Sequence, residues 1–270
     1  MVAIERLAKE RTVQLQTVKA RFFEAGQGYP TICLHGVGFT AGGFVWLPCI
    51  KEGLAANARV LALDMLGWGA GERPTWNYSF SYLVDHVREF QDVLGVEKTN
   101  IVGHSLGGWV AATLAYESPD RVNKLVVVAN AGLNPDPPAG LTNFSPPSRQ
   151  SVGESMQLVQ DPELREFLVE EAWKNVSTPN ALESYAKINE NLHDYDMRRR
   201  YLLRRRLPKI KVPTLIVYGE NDAGYPPETM GKEMASGIPG NRYEIVPGAG
   251  HFIPLEKPRE LTKLITDFLD

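Results

Sequence analysis

The chain has 270 residues, 43% of them hydrophobic and 23% charged, with a net charge of −3 at pH 7. This length is enough for one well-cored domain with an insertion, and the composition is ordinary for a globular protein. The small net charge does not favour nucleic acid or an anionic membrane as a partner. We expect a small-molecule substrate, while the oligomeric state stays open.

Two further features of the sequence predict the cellular location of the protein. No apolar stretch approaches the ~20 residues that cross a bilayer, and residues 1–10 contain no signal-peptide core. Of the two cysteines, Cys33 falls in a predicted buried strand and Cys49 follows a glycine-rich loop, so a structural disulfide is not expected. Reduced thiols fit a cytoplasmic protein.

Strand and helix patterns alternate along most of the chain. Alternating residues predict two antiparallel edge strands at 12–16 and 20–24. Apolar runs then predict buried strands at 31–34, 59–64, 99–102, 124–129, 212–219 and 243–246. A helix at 80–94 precedes the third of these runs, and a second helix begins at 108. The pattern predicts an α/β fold, a mostly parallel central sheet flanked by helices, with ligand sites at the carboxyl ends of the strands.

The alternation of strand and helix patterns stops between residues 132 and 207. Proline-rich segments open this stretch, and helical patterns follow at 162–175 and 180–191. We interpret it as a helical cap inserted into an α/β core made of residues 1–131 and 208–270. A cap over the carboxyl edge of the sheet would exclude water and shape a substrate pocket. An unrelated helical domain is the less favoured alternative.

The segment Gly103-His104-Ser105-Leu106-Gly107 lies where a predicted strand becomes a helix. A sharp strand-turn-helix strains its central residue and leaves no room for side chains two positions away. The turn would expose the Ser105 hydroxyl beside the positive end of the following helix. The pattern predicts that Ser105 is a nucleophile, the alternative being a glycine-rich helix start.

Asp222 and His251 supply the other groups that a serine nucleophile needs. Each falls in a loop after a predicted strand, and the chain order is serine, aspartate, histidine. A base must take the serine proton during attack, and a buried carboxylate must orient that base. We therefore predict a catalytic triad of Ser105, Asp222 and His251.

A glycine-rich loop, His35-Gly36-Val37-Gly38, follows the strand at 31–34. Such a loop can direct a backbone N–H at the oxygen of a reacting carbonyl. We predict an oxyanion hole made of the backbone N–H groups of Val37 and Leu106. A phosphate-binding loop is rejected because the chain has no Gly-x-Gly-x-x-Gly and no Gly-Lys-Ser/Thr at this position.

These motifs resemble the α/β-hydrolase superfamily over nearly the full chain. They are Leu34-His35-Gly36, Asp64-Met65-Leu66-Gly67-Trp68-Gly69, Gly103-His104-Ser105-Leu106-Gly107-Gly108, Tyr218-Gly219-Glu220-Asn221-Asp222 and Gly250-His251. The resemblance implies an acyl-enzyme mechanism without cofactor or metal. Serine at position 105 argues against haloalkane dehalogenases and epoxide hydrolases, whose pattern has aspartate there.

The resemblance leaves three functions open. The first is hydrolysis of a small to medium, apolar carboxylic ester. The second is carbon–carbon bond hydrolysis of meta-cleavage dienoates, whose enzymes have a similar glycine-rich loop. Their pattern has asparagine where this chain has His104, tryptophan where it has Phe252, and a cap arginine near Tyr185, where none occurs. The third is a ligand-binding receptor that keeps the hydrolase scaffold.

Some further residues are candidates for the site. The pocket is expected to be lined by His35, Gly36, Gly38, His104, Trp46 and Phe252. Arg198–Arg200 and Arg204–Arg206 form the basic part of the insertion. We interpret these two runs as a solvated helix face, with an anionic-substrate or partner site as the alternative. The five histidines have no metal-ligand spacing.

Overall fold

A computed structural model describes residues 6–136 and 145–270. Its strands are β1 (Lys9–Gln14), β2 (Lys19–Ala25), β3 (Tyr29–Leu34), β4 (Ala58–Leu63), β5 (Thr99–His104), β6 (Val122–Val128), β7 (Thr214–Gly219) and β8 (Arg242–Val246). They form one sheet in the order β1-β2-β4-β3-β5-β6-β7-β8. β2 is antiparallel to β1 and β4, and the other neighbours are parallel. The predicted mostly parallel sheet with an antiparallel start is confirmed.

Most of the helices lie between these strands in the chain, and the last two follow β8. They are α1 (Leu47–Cys49), α2 (Phe80–Val93), α3 (Leu106–Glu117), α4 (Arg149–Ser155), α5 (Pro162–Ser177), α6 (Ala181–His193), α7 (Tyr195–Tyr201), α8 (Lys232–Gly237), α9 (Ile253–Glu256) and α10 (Pro258–Leu269). Side-chain caps fix several starts: the Ser79 hydroxyl accepts the Tyr82 N–H at α2, and Asp161 accepts the Leu164 N–H at α5.

Alternate residues of the central strands face opposite sides of the sheet, and both sides are buried. Ile32 and Leu34 of β3 belong to an apolar cluster that includes residues of α2 and α3, whereas Cys33 belongs to a second cluster that includes residues of α1 and α10. Strands covered on both faces must be apolar throughout, which explains the continuous runs in the sequence. The carboxyl ends of the parallel strands are thereby left as the edge where polar groups meet.

The segment predicted to be a cap contains α4 to α7, between β6 and β7. Part of it, residues 137–144, lies outside the described residues. The boundaries at 131/132 and 207/208 remain a prediction. Within this segment, α5 reaches the loop after β3: Asn175 donates hydrogen bonds of 2.9 Å to the carbonyls of Thr40 and Ala41.

A buried ionic cluster also joins α5 to the sheet. Arg21 of β2 donates from Nε to Asp64 Oδ2 at 2.6 Å and from Nη1 to Glu171 Oε2 at 2.8 Å. All three side chains are at most 2% exposed. Asp64 accepts further hydrogen bonds from the N–H groups of Gly43 and Ala70. Each buried charged group therefore has hydrogen-bonded or oppositely charged partners. Without such partners its burial would be strongly unfavourable.

Replacing Arg21 with methionine is expected to lower the free energy of unfolding by about 3–5 kcal/mol, because two buried carboxylates lose their shared cation. The measurement is urea unfolding at pH 7. Arg11→Met on β1 is the matched control: its pair with Glu24 is solvent-exposed, and its loss should cost less than about 1 kcal/mol. Equal, small losses in both variants would show that the cluster does not hold α5 on the sheet.

Candidate active site

Ser105 lies at a strained turn between β5 and α3. Its backbone has φ 53° and ψ −116°, a conformation that residues with a side chain rarely adopt. A Cβ added to Gly103 would lie 2.3 Å from the Gly107 carbonyl oxygen, and one added to Gly107 would lie 2.6 Å from the His35 carbonyl oxygen. The backbone therefore packs too closely for side chains at these two positions, as the spacing of the glycines predicts.

The three residues of the predicted triad meet at the carboxyl edge of the sheet. His251 Nδ1 lies 2.7 Å from Asp222 Oδ2, and His251 Nε2 lies 3.1 Å from Ser105 Oγ. Ser105 and Asp222 are 2% and 4% exposed. An ionised Asp222 selects the tautomer in which Nδ1 carries the proton, leaving Nε2 to accept from the serine. This geometry suits transfer of the serine proton to His251.

The loop after β7 holds the Asp222 carboxylate in place. Its Oδ1 atom accepts the N–H groups of Gly224 at 3.0 Å and Tyr225 at 2.9 Å. Because Oδ1 is occupied by two backbone donors, Oδ2 is the oxygen left for His251. The carboxylate therefore has a defined orientation before any substrate binds.

The segment predicted to form an oxyanion hole passes beside Ser105. A Cβ added to Gly36 would lie 3.1 Å from Ser105 Cβ, so the loop after β3 reaches the nucleophile. The Gly107 N–H donates to the His35 carbonyl at 3.0 Å and ties this loop to the start of α3. Leu106 is the first residue of α3, and the first N–H groups of a helix have no acceptor within it. The roles of the Val37 and Leu106 N–H groups remain predictions.

A small apolar cavity of about 40 Å³ adjoins this segment. Its lining includes three of the predicted pocket residues, Gly36, His104 and Phe252, but not Gly38. The remaining lining residues are apolar: Val37, Ala41, Val45, Pro254 and Leu255. Phe252 is 47% exposed and marks the open side of the cavity.

His35 and Trp46 do not line a pocket, contrary to the prediction, because both have no exposed surface. His35 accepts the Met65 N–H at Nε2 and donates from Nδ1 to the Gly36 carbonyl. Burial lowers the pKa of His35 to about 4, so it is neutral at pH 7. Trp46 belongs to the apolar cluster that includes residues of α1 and α10. His35 therefore fixes the start of the loop after β3, and Trp46 packs in the core.

His104, next to the nucleophile, anchors His251 through its backbone. Its Nε2 donates to the His251 carbonyl at 2.8 Å. Burial, together with the neighbouring His251, lowers the pKa of His104 to about 3, so it is a neutral donor at pH 7.

The interpretation of the arginine runs as a solvated face is wrong for two of their members. Arg198 is 4% and Arg206 is 8% exposed, while their neighbours in the runs are exposed. Arg198 donates to the carbonyls of Asn134, Pro135 and Leu192, and its guanidinium lies 5.4 Å from the centre of the Trp109 ring. A guanidinium has five donors, so backbone carbonyls can satisfy its hydrogen bonds, while the Asp136 carboxylate acts on its charge.

Sequence reasoning missed Tyr225, which the structure places against His251. The two ring centres are 4.7 Å apart and the ring planes differ by 17°. Burial raises the pKa of the Tyr225 hydroxyl, so the phenol is protonated at neutral pH. The sequence shows that Tyr225 lies three residues after Asp222. No spacing rule marks a residue at that position as functional.

Two other kinds of site are not found in residues 6–136 and 145–270. Within those ranges no helix is long and apolar enough to cross a membrane. The same residues contain no group of three or more histidine, cysteine, aspartate or glutamate side chains that could hold a metal ion.

Comparison with known proteins identifies the family. Residues 31–264 match the alpha/beta hydrolase family, and the chain belongs to it. The 2-hydroxy-6-oxononadienedioate/2-hydroxy-6-oxononatrienedioate hydrolase of Escherichia coli K12 is 29% identical over 94% of this chain and 92% of its own length. The chain is thus a hydrolase, as the motifs predict.

Two solved structures share the fold at 25% sequence identity. A meta-cleavage product hydrolase from Pseudomonas fluorescens IP01 superposes with a TM-score of 0.80, covering 96% of this chain and 97% of its own. A thermophilic esterase from Thermogutta terrifontis superposes with a TM-score of 0.75, covering 97% and 98%. Similar structures therefore include both of the enzyme classes that the sequence leaves open.

Proposed function

We propose that this hydrolase cleaves small carboxylic esters through an acyl-enzyme on Ser105. The observation that carries the proposal is the continuous relay from Asp222 through His251 to Ser105, with distances of 2.7 and 3.1 Å. A relay of this kind activates a serine for attack on an acyl carbon.

The reaction has two halves. Ser105 Oγ attacks the acyl carbon while His251 takes its proton, and Asp222 stabilises the imidazolium that forms. The N–H groups of Val37 and Leu106 hold the oxyanion. His251 then gives the proton to the leaving alcohol, and the acyl-enzyme remains. A water molecule activated by His251 hydrolyses it and restores the serine.

The cavity beside Gly36 suggests the size of the acyl group. Its volume of about 40 Å³ exceeds the ~10–15 Å³ that a cavity needs to admit one water molecule, so it suits a short alkyl chain. Its lining residues are apolar apart from His104, and no charged residue is among them. These features favour a short, uncharged acyl group.

Hydrolysis of a carbon–carbon bond in a meta-cleavage dienoate is the second candidate. It is favoured by the E. coli relative and by Arg198, a buried cation whose described hydrogen bonds go to backbone carbonyls. Against it are His104 and Phe252, which depart from that pattern, and Tyr185, where a cap arginine would be expected. The ester reaction needs none of these features.

One assay separates the candidates. Steady-state turnover is measured for p-nitrophenyl acetate, butyrate and octanoate and for a meta-cleavage dienoate. We expect the highest kcat/KM for acetate or butyrate and no loss of dienoate. Preferred cleavage of the dienoate would replace the ester proposal with the carbon–carbon reaction. Stable retention of product after a single turnover would favour a receptor.

A further inference from the structure

The surroundings of His251 contain three aromatic rings at different angles. His104 and Phe252 lie with ring centres 4.9 and 5.3 Å away and with planes tilted by 47° and 76°. Tyr225 lies at 4.7 Å with its plane tilted by only 17°. Of these described rings, Tyr225 is therefore the one whose face covers the face of the imidazole.

Tyr225 is itself held in the site by several contacts. Its N–H donates to Asp222 Oδ1 at 2.9 Å, so the loop that orients the carboxylate also places the ring. Its hydroxyl interacts with the Ser105 hydroxyl, and the positive charge of Arg198 acts on the same hydroxyl. The ring is thus fixed at both ends, which allows it to restrain His251.

We propose that Tyr225 is a positioning residue whose ring face stabilises the imidazolium form of His251 and keeps the imidazole directed at Ser105. The electron-rich face of a tyrosine attracts a cation within about 6 Å of its centre. His251 is neutral before each proton transfer and positively charged afterwards, so the attraction is stronger in the transition state than in the ground state. This inference rests on the proposed Ser105 relay, but not on the identity of the substrate.

A pH profile can report this effect because a protonated His251 cannot accept the serine proton. The described titratable groups around His251 include Asp222, His104, Tyr225 and, on α9, Glu256, which accepts the N–H groups of Gly250 and Phe252, while Arg198 of α7 acts on Tyr225. His104, with its pKa lowered to about 3, stays neutral through the range of the experiment. The acid limb of the profile is the range in which labelling of Ser105 slows as the pH falls. It reports protonation of His251.

The experiment measures the rate at which a fluorophosphonate labels Ser105 between pH 4.5 and 8.5. In this reaction Ser105 Oγ bonds to phosphorus, fluoride leaves, and the serine proton passes to His251. Three variants are compared with the wild type: Tyr225→Leu, which lacks the ring, Tyr225→Phe, which keeps it, and Tyr82→Leu. Tyr82 is 50% exposed on α2 and serves as the matched control. Thermal melts verify folding, and Tyr225→Met replaces Tyr225→Leu if that variant does not fold.

We expect Tyr225→Leu to label about 2- to 30-fold more slowly at the plateau, which is the range given by a cation–π contact of ~0.5–2 kcal/mol. Its acid limb should shift to lower pH, since the imidazolium loses stabilisation. Tyr225→Phe should keep the acid limb of the wild type, because it keeps the ring, and Tyr82→Leu should keep both the rate and the limb.

Three results would overturn the proposal: an unchanged profile in Tyr225→Leu, an unmoved acid limb with a slower plateau, or an equal defect in Tyr225→Phe. The first denies any effect of the ring, the second indicates a structural role alone, and the third assigns the effect to the hydroxyl. If the wild type is labelled but cleaves no ester, the ester proposal fails while this test still stands. If the wild type is not labelled, both fail.

Discussion

Replacing Ser105 with alanine is expected to lower kcat by about 10⁴- to 10⁶-fold and to leave KM for the ester little changed. The substitution removes the atom that attacks the acyl carbon. Residual turnover would come from the oxyanion N–H groups and from binding, which the variant keeps. The measurement is steady-state hydrolysis of p-nitrophenyl acetate.

The fold should survive this change. The Ser105 side chain hydrogen-bonds to His251 and interacts with the Tyr225 hydroxyl, and alanine keeps the backbone and the Cβ at the strained turn. Ser236→Ala on α8 is the matched control, since its exposed hydroxyl bonds only to the Glu233 carbonyl of the same element. Turnover of the Ser105 variant within tenfold of the Ser236 variant would exclude the acyl-enzyme mechanism.

The parts of the fold that sequence predicts well depend on short-range patterns. Strands covered on both faces read as continuous apolar runs, and β5, β6 and β7 were placed to within a few residues. The glycines around Ser105 were interpretable because a close backbone approach excludes a Cβ at fixed spacings. The expectation that Ser105, Asp222 and His251 lie near one another follows from the rule that parallel strands end at one edge of the sheet, whereas their order in the chain was matched to the α/β-hydrolase pattern.

The parts that sequence does not predict depend on distant contacts. Arg21 pairs with Asp64 and Glu171, which are 43 and 150 residues away in the chain. Arg198 lies in a run of three arginines, and the carbonyls that bury it belong in part to residues 63 and 64 positions earlier. A local charge pattern cannot tell such an arginine from its exposed neighbours. Tyr225 escaped notice for the same reason, since its role depends on the position of a ring 26 residues later.

Replacing Asp222 with asparagine is expected to lower kcat by about 10⁴-fold, the size of effect seen when a triad histidine is held in the wrong tautomer. Oδ1 accepts the N–H groups of Gly224 and Tyr225, so the amide oxygen of asparagine must take that position. The amide NH₂ then faces His251 Nδ1 and donates to it. The proton of His251 is thereby moved to Nε2, which faces Ser105 and can no longer accept the serine proton.

The control for Asp222→Asn is Asp136→Asn. Asp136 is an exposed carboxylate after β6, the strand beside β7, and is the first alternative source of the triad carboxylate. We expect it to be dispensable, because the 2.7 Å contact to His251 is made by Asp222. Comparison of kcat for the two variants on p-nitrophenyl acetate shows which aspartate supplies the triad carboxylate. A large loss in Asp136→Asn with turnover retained in Asp222→Asn would transfer the role to Asp136. Large loss in Asp222→Asn alone would show that the fixed orientation of this carboxylate, set by two backbone N–H groups, is what makes His251 a base.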